Sequence, residues 1–162
     1  MIKKAVEFAK KAHEGQLRKG TTLPYIIHPL EVCTIVSLMT DDEEVRVAAL
    51  LHDTVEDTNV SIDEIKSNFS ENVAMWVGKE SEDKSKSWIE RKMNTLKGES
   101  MAVKMIALGD KLSNIRASAR DYLSMGDDFL QRFNEKDKVK QAMYYYGILE
   151  ALKDLEESEF YK

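Results

Sequence analysis

The residues of this chain with chemistry to offer sit at the ends of apolar runs. Val47–Leu51 is wholly apolar and ends in His52-Asp53, and Glu56-Asp57 follows after two residues. If this stretch is helical, His52 shares a face with Glu56, and Asp53 with Asp57. Carboxylates packed this closely repel one another unless a cation offsets them, and a divalent metal is the simplest such cation. Asp110 poses the same problem, because it interrupts MAVKMIALGDKL, the most apolar stretch of the chain. A buried carboxylate needs a positive partner, which Lys111, Arg116 or a metal would supply. Asn114 lies one helical turn beyond Asp110. His28 precedes Pro29, which disfavours helical backbone at the histidine and sets its ring at a helix mouth.

Each of these residues has an ordinary structural reading when taken alone. A histidine before proline caps a helix, an aspartate in a helix forms a salt bridge, and His-Asp pairs arise by chance. Together, His28, His52, Asp53 and Asp110 are the ligand types and the count that a catalytic divalent site needs, with room left for water. Mixed imidazole and carboxylate ligands suit Mn²⁺ better than a closed structural zinc, which favours cysteine.

The elements that must position these groups are helices. Ile2, Ala5, Val6, Ala9, Ala12 and His13 follow helical spacing, with lysines opposite, and Gly15 ends the run. His13 has no chemical partner in sequence and reads as structural. GQLRKGTTLPY is a loop, and a helix begins at His28-Pro29 with Val32, Ile35, Val36 and Met39 inward. Thr40-Asp41-Asp42 is an N-cap cluster for a third helix. Ser61 to Glu64 has capping-box form, and Ser70 caps another helix with Val73, Trp76 and Val77 inward. Lys79 to Ser87 has no apolar residue and reads as an exposed loop, followed by a helix from Trp88 to Leu96. Met101 to Ile115 reads as a central buried helix. A last helix is expected from Glu135 to Glu157, with Val139, Ala142, Met143, Tyr146, Leu149 and Leu152 inward. No alternating run is long enough for a sheet, so the expectation is one all-α domain, a compact multi-helix bundle over residues 1–162.

Composition narrows the function classes. The chain has 162 residues, 43% of them hydrophobic and 33% charged, which fits one globular core. No apolar run approaches a membrane span, and the charged N-terminus lacks the apolar core of a secretory signal, so no membrane partner is expected. The single Cys33 cannot form an internal disulfide, which fits a reduced, cytoplasmic location. A net charge of −5 without a basic tract argues against nucleic-acid binding, while leaving room for a small anionic ligand at a local basic patch.

The pattern resembles the HD phosphohydrolase superfamily, in which histidines and aspartates follow an H…HD…D order. It is most similar to the hydrolase domains of RelA/SpoT homologues and the small stand-alone alarmone hydrolases. AVEFAKKAHEGQLRKGTTLPYIIHPLEV, AALLHDTVEDT and GDKLSNIRA carry that likeness, in order, across roughly the first three-quarters of the chain. The resemblance implies an all-α HD bundle, and a chain of this length would be a stand-alone hydrolase. It implies that His28, His52, Asp53 and Asp110 hold one manganese ion, and that Glu56 and Asp57 act on the water and the proton balance. Arg18 and Lys19 would contact the nucleotide, Arg18 against the base, with Lys111 and Asn114 near the phosphates or ribose. The reaction would release pyrophosphate from the 3′ position of guanosine tetra- or pentaphosphate. A planar guanidinium can both stack on a purine and bind phosphate, which agrees with the role of Arg18. Ser113 and Gly109 depart from the family pattern, where a larger residue and an alanine are usual. One of Tyr144, Tyr145 and Tyr146 is expected near the site, in a register that spacing does not settle. The residues also admit an HD phosphohydrolase for another nucleotide, a 5′-mononucleotide or NADPH, and a nucleotide-binding sensor without turnover. The oligomeric state is open, a homodimer included.

Overall fold

The computed structural model describes residues 1–80, 96 and 98–162, and among them every regular element is helical. α1 spans Ile2–Ala12, α2 Ile27–Ser37, α3 Glu43–Leu51, α4 Thr54–Asp57, α5 Ile62–Asn68 and α6 Glu71–Glu80. α7 runs Met101–Met125 and α8 Lys138–Ala151, with 3₁₀ turns at Gly126–Arg132 and Lys153–Leu155. No helix among the described residues is long and apolar enough to cross a membrane.

Local chemistry sets most of these boundaries. The Asp42 carboxylate accepts from the backbone N–H of Glu44 at 2.9 Å and starts α3. Ser61, Ser70 and Ser100 accept from the N–H groups three residues on, at the starts of α5, α6 and α7. Each cap satisfies a donor that a helix start otherwise leaves unpaired. α2 begins one residue before His28, so His28 is helical and not extended as expected before Pro29, and Pro29 falls within the first turn, where its missing N–H costs nothing.

α2 packs against α7 and α3, and α3 packs against α1 and α6. Their shared core includes Ala5, Ala9, Val32, Val36, Val47, Leu50, Leu51, Val73, Val77 and Ile106, all essentially inaccessible to water. A second cluster joins Val103, Ala107 and Leu108 of α7 to Ile148, Leu152 and Leu155 of the C-terminal segment. α7 therefore serves both clusters, as its apolar faces predict. It is longer than its apolar part, continuing past the half-exposed Ile115 to Met125.

The last helix differs from expectation in phase and length. Val139, Met143 and Tyr146 are exposed, and Ile148 with Leu152 makes the inward contact. Residues 139–149 are apolar on nearly every side, so spacing defines no single stripe, and the fit of Ile148 and Leu152 on α7 selects the face. Lys79 and Glu80 close α6. The rest of the expected loop to Ser87, and the expected helix from Trp88 up to Leu96, lie outside the described residues; Leu96 itself is buried.

Candidate metal centre and nucleotide site

The stretch before α2 is more ordered than its composition implies. Arg18 N–H donates to Leu23 O at 2.8 Å, Tyr25 N–H donates to Gln16 O at 2.9 Å, and Leu17 bridges Pro24. These contacts fold residues 16–25 into a tight hairpin whose turn includes Gly20 at φ +73°. The hairpin carries Arg18 and Lys19 and leads directly into His28.

α3 ends at Leu51, and His52 and Asp53 form the turn into α4 rather than extending one helix. The turn stays near-helical, with Asp57 N–H donating to Asp53 O at 2.9 Å, so Asp53 and Asp57 still face the same way. The phenol of Tyr25 confirms their proximity by donating to Asp53 Oδ2 at 2.6 Å and reaching Asp57 Oδ2 at 3.1 Å.

α2, the α3–α4 turn and α7 bring four side chains to one place. His28 Nε2 lies 3.4 Å from Asp53 Oδ2 and 3.1 Å from Asp110 Oδ1. His52 Nε2 lies 3.0 Å from Asp53 Oδ2 and 3.8 Å from Asp110 Oδ1. Ligand atoms of His28, His52 and Asp53 all fall within 4.8 Å of one another. His28, His52 and Asp110 are buried, and Asp53 is largely so.

These residues fit a divalent ion on the evidence of one atom. The Nδ1 of His52 is 2.8 Å from the carbonyl oxygen of Ala49, which can only accept, so Nδ1 carries hydrogen. Its Nε2 is buried yet makes no hydrogen bond of acceptable geometry, despite two carboxylates nearby. A buried polar atom without a partner is rare, and here it faces the point where the other ligand-type atoms converge.

The electrostatics express the same need for a cation. Burial alone would lower the pKa of His52, but Asp53 and Asp110 outweigh it and hold the imidazole above its ordinary range. Burial would raise Asp53, yet His52 and His28 hold it well below the usual carboxylate range. Asp110 is likewise raised by burial and lowered further by Lys111, His28 and His52. Asp57 goes the other way, raised by partial burial and by the charge of Asp53. Burial and the same aspartates push the Tyr25 phenol far above its normal value, so it remains a donor at working pH.

The residues expected to contact a nucleotide are tied to this centre. Lys111 Nζ pairs with Asp110 Oδ2, and Asn114 Nδ2 donates to Asp110 Oδ1 at 2.6 Å. Asn114 accepts in turn from Arg18 Nη2 at 3.1 Å, linking the hairpin to α7. The Arg18 guanidinium also lies over the Tyr25 ring, 5.7 Å from its centroid. Lys19 is exposed and extends over the ring of Phe133 at 5.7 Å. Glu56 is half-buried on α4, beside Asp57 in sequence. On α8, the Tyr145 hydroxyl feels Asp110 and Lys111, and burial pushes it up to about 12.

The sequence gives Tyr25 and Glu31 no role, and marks Ser113 only as a departure from the family pattern at the pocket wall. Tyr25 was visible only as the aromatic three residues ahead of His28. Ser113 Oγ is 2.9 Å from His28 Nδ1 and donates to Glu31 Oε2 at 2.8 Å. His13, read as structural, is buried with Nδ1 2.8 Å from Gln16 Oε1, while Gln16 Nε2 donates to Asp57 O.

Comparison with known proteins gives the family. A family model described as HD domain matches residues 5–125. A guanosine-3′,5′-bis(diphosphate) 3′-pyrophosphohydrolase of Aquifex aeolicus is 40% identical over 71% of this chain, which spans only 17% of that protein. The Xenopus tropicalis MESH1 enzyme, with the same descriptive name, is 40% identical over 72% of this chain and 68% of its own length. A solved structure described as a metazoan ortholog of SpoT that hydrolyzes ppGpp aligns with a TM-score of 0.76, at 30% identity over 93% of this chain and 84% of that one. A match over most of its length, and a relative covered across two-thirds of itself, place this chain in the HD domain family, on the branch of the guanosine-3′,5′-bis(diphosphate) 3′-pyrophosphohydrolases.

Proposed function

We propose that this chain is a metal-dependent hydrolase that removes pyrophosphate from the 3′ position of guanosine tetra- and pentaphosphate. The products are GDP or GTP and pyrophosphate. The observation that carries the reading is the convergence of the buried His28 and His52 Nε2 atoms on Asp53 and Asp110, with Arg18 tethered to the same centre through Asn114. The names of the relatives support the substrate.

His28, His52, Asp53 and Asp110 would hold one divalent ion, and their mix of imidazole and carboxylate without thiolate favours Mn²⁺. The chemistry supplied by such an ion is Lewis acidity toward a phosphoryl oxygen and a more nucleophilic water at neutral pH. Glu56 and Asp57 handle protons beside it. The raised pKa of Asp57 suits proton exchange near neutrality better than an ordinary carboxylate does. Tyr25, protonated and held between Asp53 and Asp57, keeps both carboxylates oriented. Arg18 reads the guanine face, and Lys19, Lys111 and Asn114 bind phosphate and ribose. The local cations matter because the chain as a whole is acidic, at −5, and the substrate carries phosphates at both ends. The functional unit is one hydrolase domain over residues 1–162, acting in the cytoplasm on a free nucleotide.

A nucleotide panel tests this reading. The Mn²⁺-loaded protein should show its highest kcat/KM on guanosine tetraphosphate. A preference for 5′-mononucleotides or NADPH, with release of orthophosphate, would assign it to another nucleotide. Binding without turnover would make it a sensor.

A further inference from the structure

His28 differs from His52 in how its second nitrogen is held. His52 Nδ1 faces a backbone carbonyl, which can only accept. His28 Nδ1 faces the Ser113 hydroxyl at 2.9 Å, and a hydroxyl can accept or donate. Which it does decides where the imidazole proton sits. A serine that donated to Nδ1 would place the ring proton on Nε2, the atom facing Asp53 and Asp110. That form has no lone pair for an ion.

The structure shows what commits the serine. Ser113 Oγ is 2.8 Å from Glu31 Oε2 in donor geometry, and a carboxylate only accepts. The single hydroxyl proton is therefore spent on Glu31, and the serine oxygen is left to accept from His28 Nδ1–H. Ser113 is 1% exposed and His28 2%, so water does not compete for either group. Glu31 lies one turn along α2 from His28, at the protein surface, with Arg116 Nη1 3.9 Å from its other oxygen.

We infer that Glu31 and Ser113 form a positioning relay that fixes His28 in the tautomer with a free Nε2, and that this chain's affinity for its divalent ion depends on that relay. This rests on the metal-centre reading above. Partners behind a ligating histidine typically alter metal affinity by about 10–100-fold.

The test is Mn²⁺ affinity by titration calorimetry on the full chain and four variants, with thermal unfolding of each metal-free protein alongside. Ser113→Ala should weaken Mn²⁺ binding about 10–100-fold. Ser113→Thr keeps the hydroxyl and should bind like wild type. Glu31→Ala should weaken binding as well, because it frees the serine proton to donate to Nδ1. Since Glu31 acts only through Ser113, the double variant should bind no more weakly than Ser113→Ala alone. Unchanged affinity in Ser113→Ala, or losses that multiply in the double variant, would overturn the relay. If Ser113→Ala does not fold, Glu31→Ala at the surface decides alone, and wild-type affinity there overturns it. A wild-type chain that takes up no divalent ion would overturn the metal centre itself and the relay with it.

Discussion

At the scale of single residues, the site divides into groups that would ligate and groups that act around them. Glu56 and Asp57, on the short helix that follows His52-Asp53, are proposed to be of the second kind. Glu56→Gln should keep its metal, measured by elemental analysis, and lose turnover by about 10²–10⁴-fold, the usual contribution of a general acid or base. Arg18 is tied to Asn114 and lies over Tyr25. Arg18→Ala should leave metal content unchanged and raise KM for guanosine tetraphosphate by roughly 10- to 100-fold, the equivalent of losing about 1.5–3 kcal/mol of charge-assisted hydrogen bonding. Steady-state kinetics against a small phosphate ester, which should be little affected, separates this from a general loss of activity. Of the proposed ligands, His52, Asp53 and Asp110 were legible in sequence as polar groups ending or interrupting apolar runs, and His28 as a histidine before Pro29 at a helix start. Tyr25, Ser113 and Glu31 were not, since their meaning lies in contacts 28, 85 and 82 residues away along the chain.

At the scale of elements, the hairpin of residues 16–25 carries Arg18 and Lys19, the cations proposed to bind the nucleotide. Gly20 sits at its turn in left-handed backbone, and a Cβ there would lie 2.4 Å from the Arg132 side chain. Arg132 is itself held by Asp121 at 2.6 Å. Gly20→Ala should cost about 1–2 kcal/mol for the left-handed conformation and displace Arg132. Denaturant unfolding checks the stability loss, and KM for the nucleotide should rise while metal content holds. Gly109 makes a different kind of contact, for a Cβ there would stand 3.2 Å from both Val32 and Val36. Its lack of a side chain lets α7 approach α2 closely, beside the pair His28 and Asp110. Helix positions, caps and the buried face of α7 were readable because each rests on local chemistry. The phase of α8 was not, because a helix apolar on nearly all sides takes its orientation from what it packs against.

At the scale of the whole molecule, the candidate ligands come from α2, the α3–α4 turn and α7, elements that meet across the main core. An ion bound there ties three separate parts of the chain together and offsets the repulsion of Asp53, Asp57 and Asp110. Free Mn²⁺ at a hundredfold excess over its Kd should stabilise the fold by about 2.7 kcal/mol, or roughly 5–10 °C in Tm for a domain of this size. Calorimetry with and without chelator checks that shift, and an unchanged Tm would mean that no ion couples these elements. The central claim is the reaction itself, and ³¹P NMR of the Mn²⁺-loaded protein with guanosine tetraphosphate tests it most directly. The account predicts GDP and intact pyrophosphate in equal amounts. Unaltered guanosine tetraphosphate, or orthophosphate in place of pyrophosphate, would contradict it.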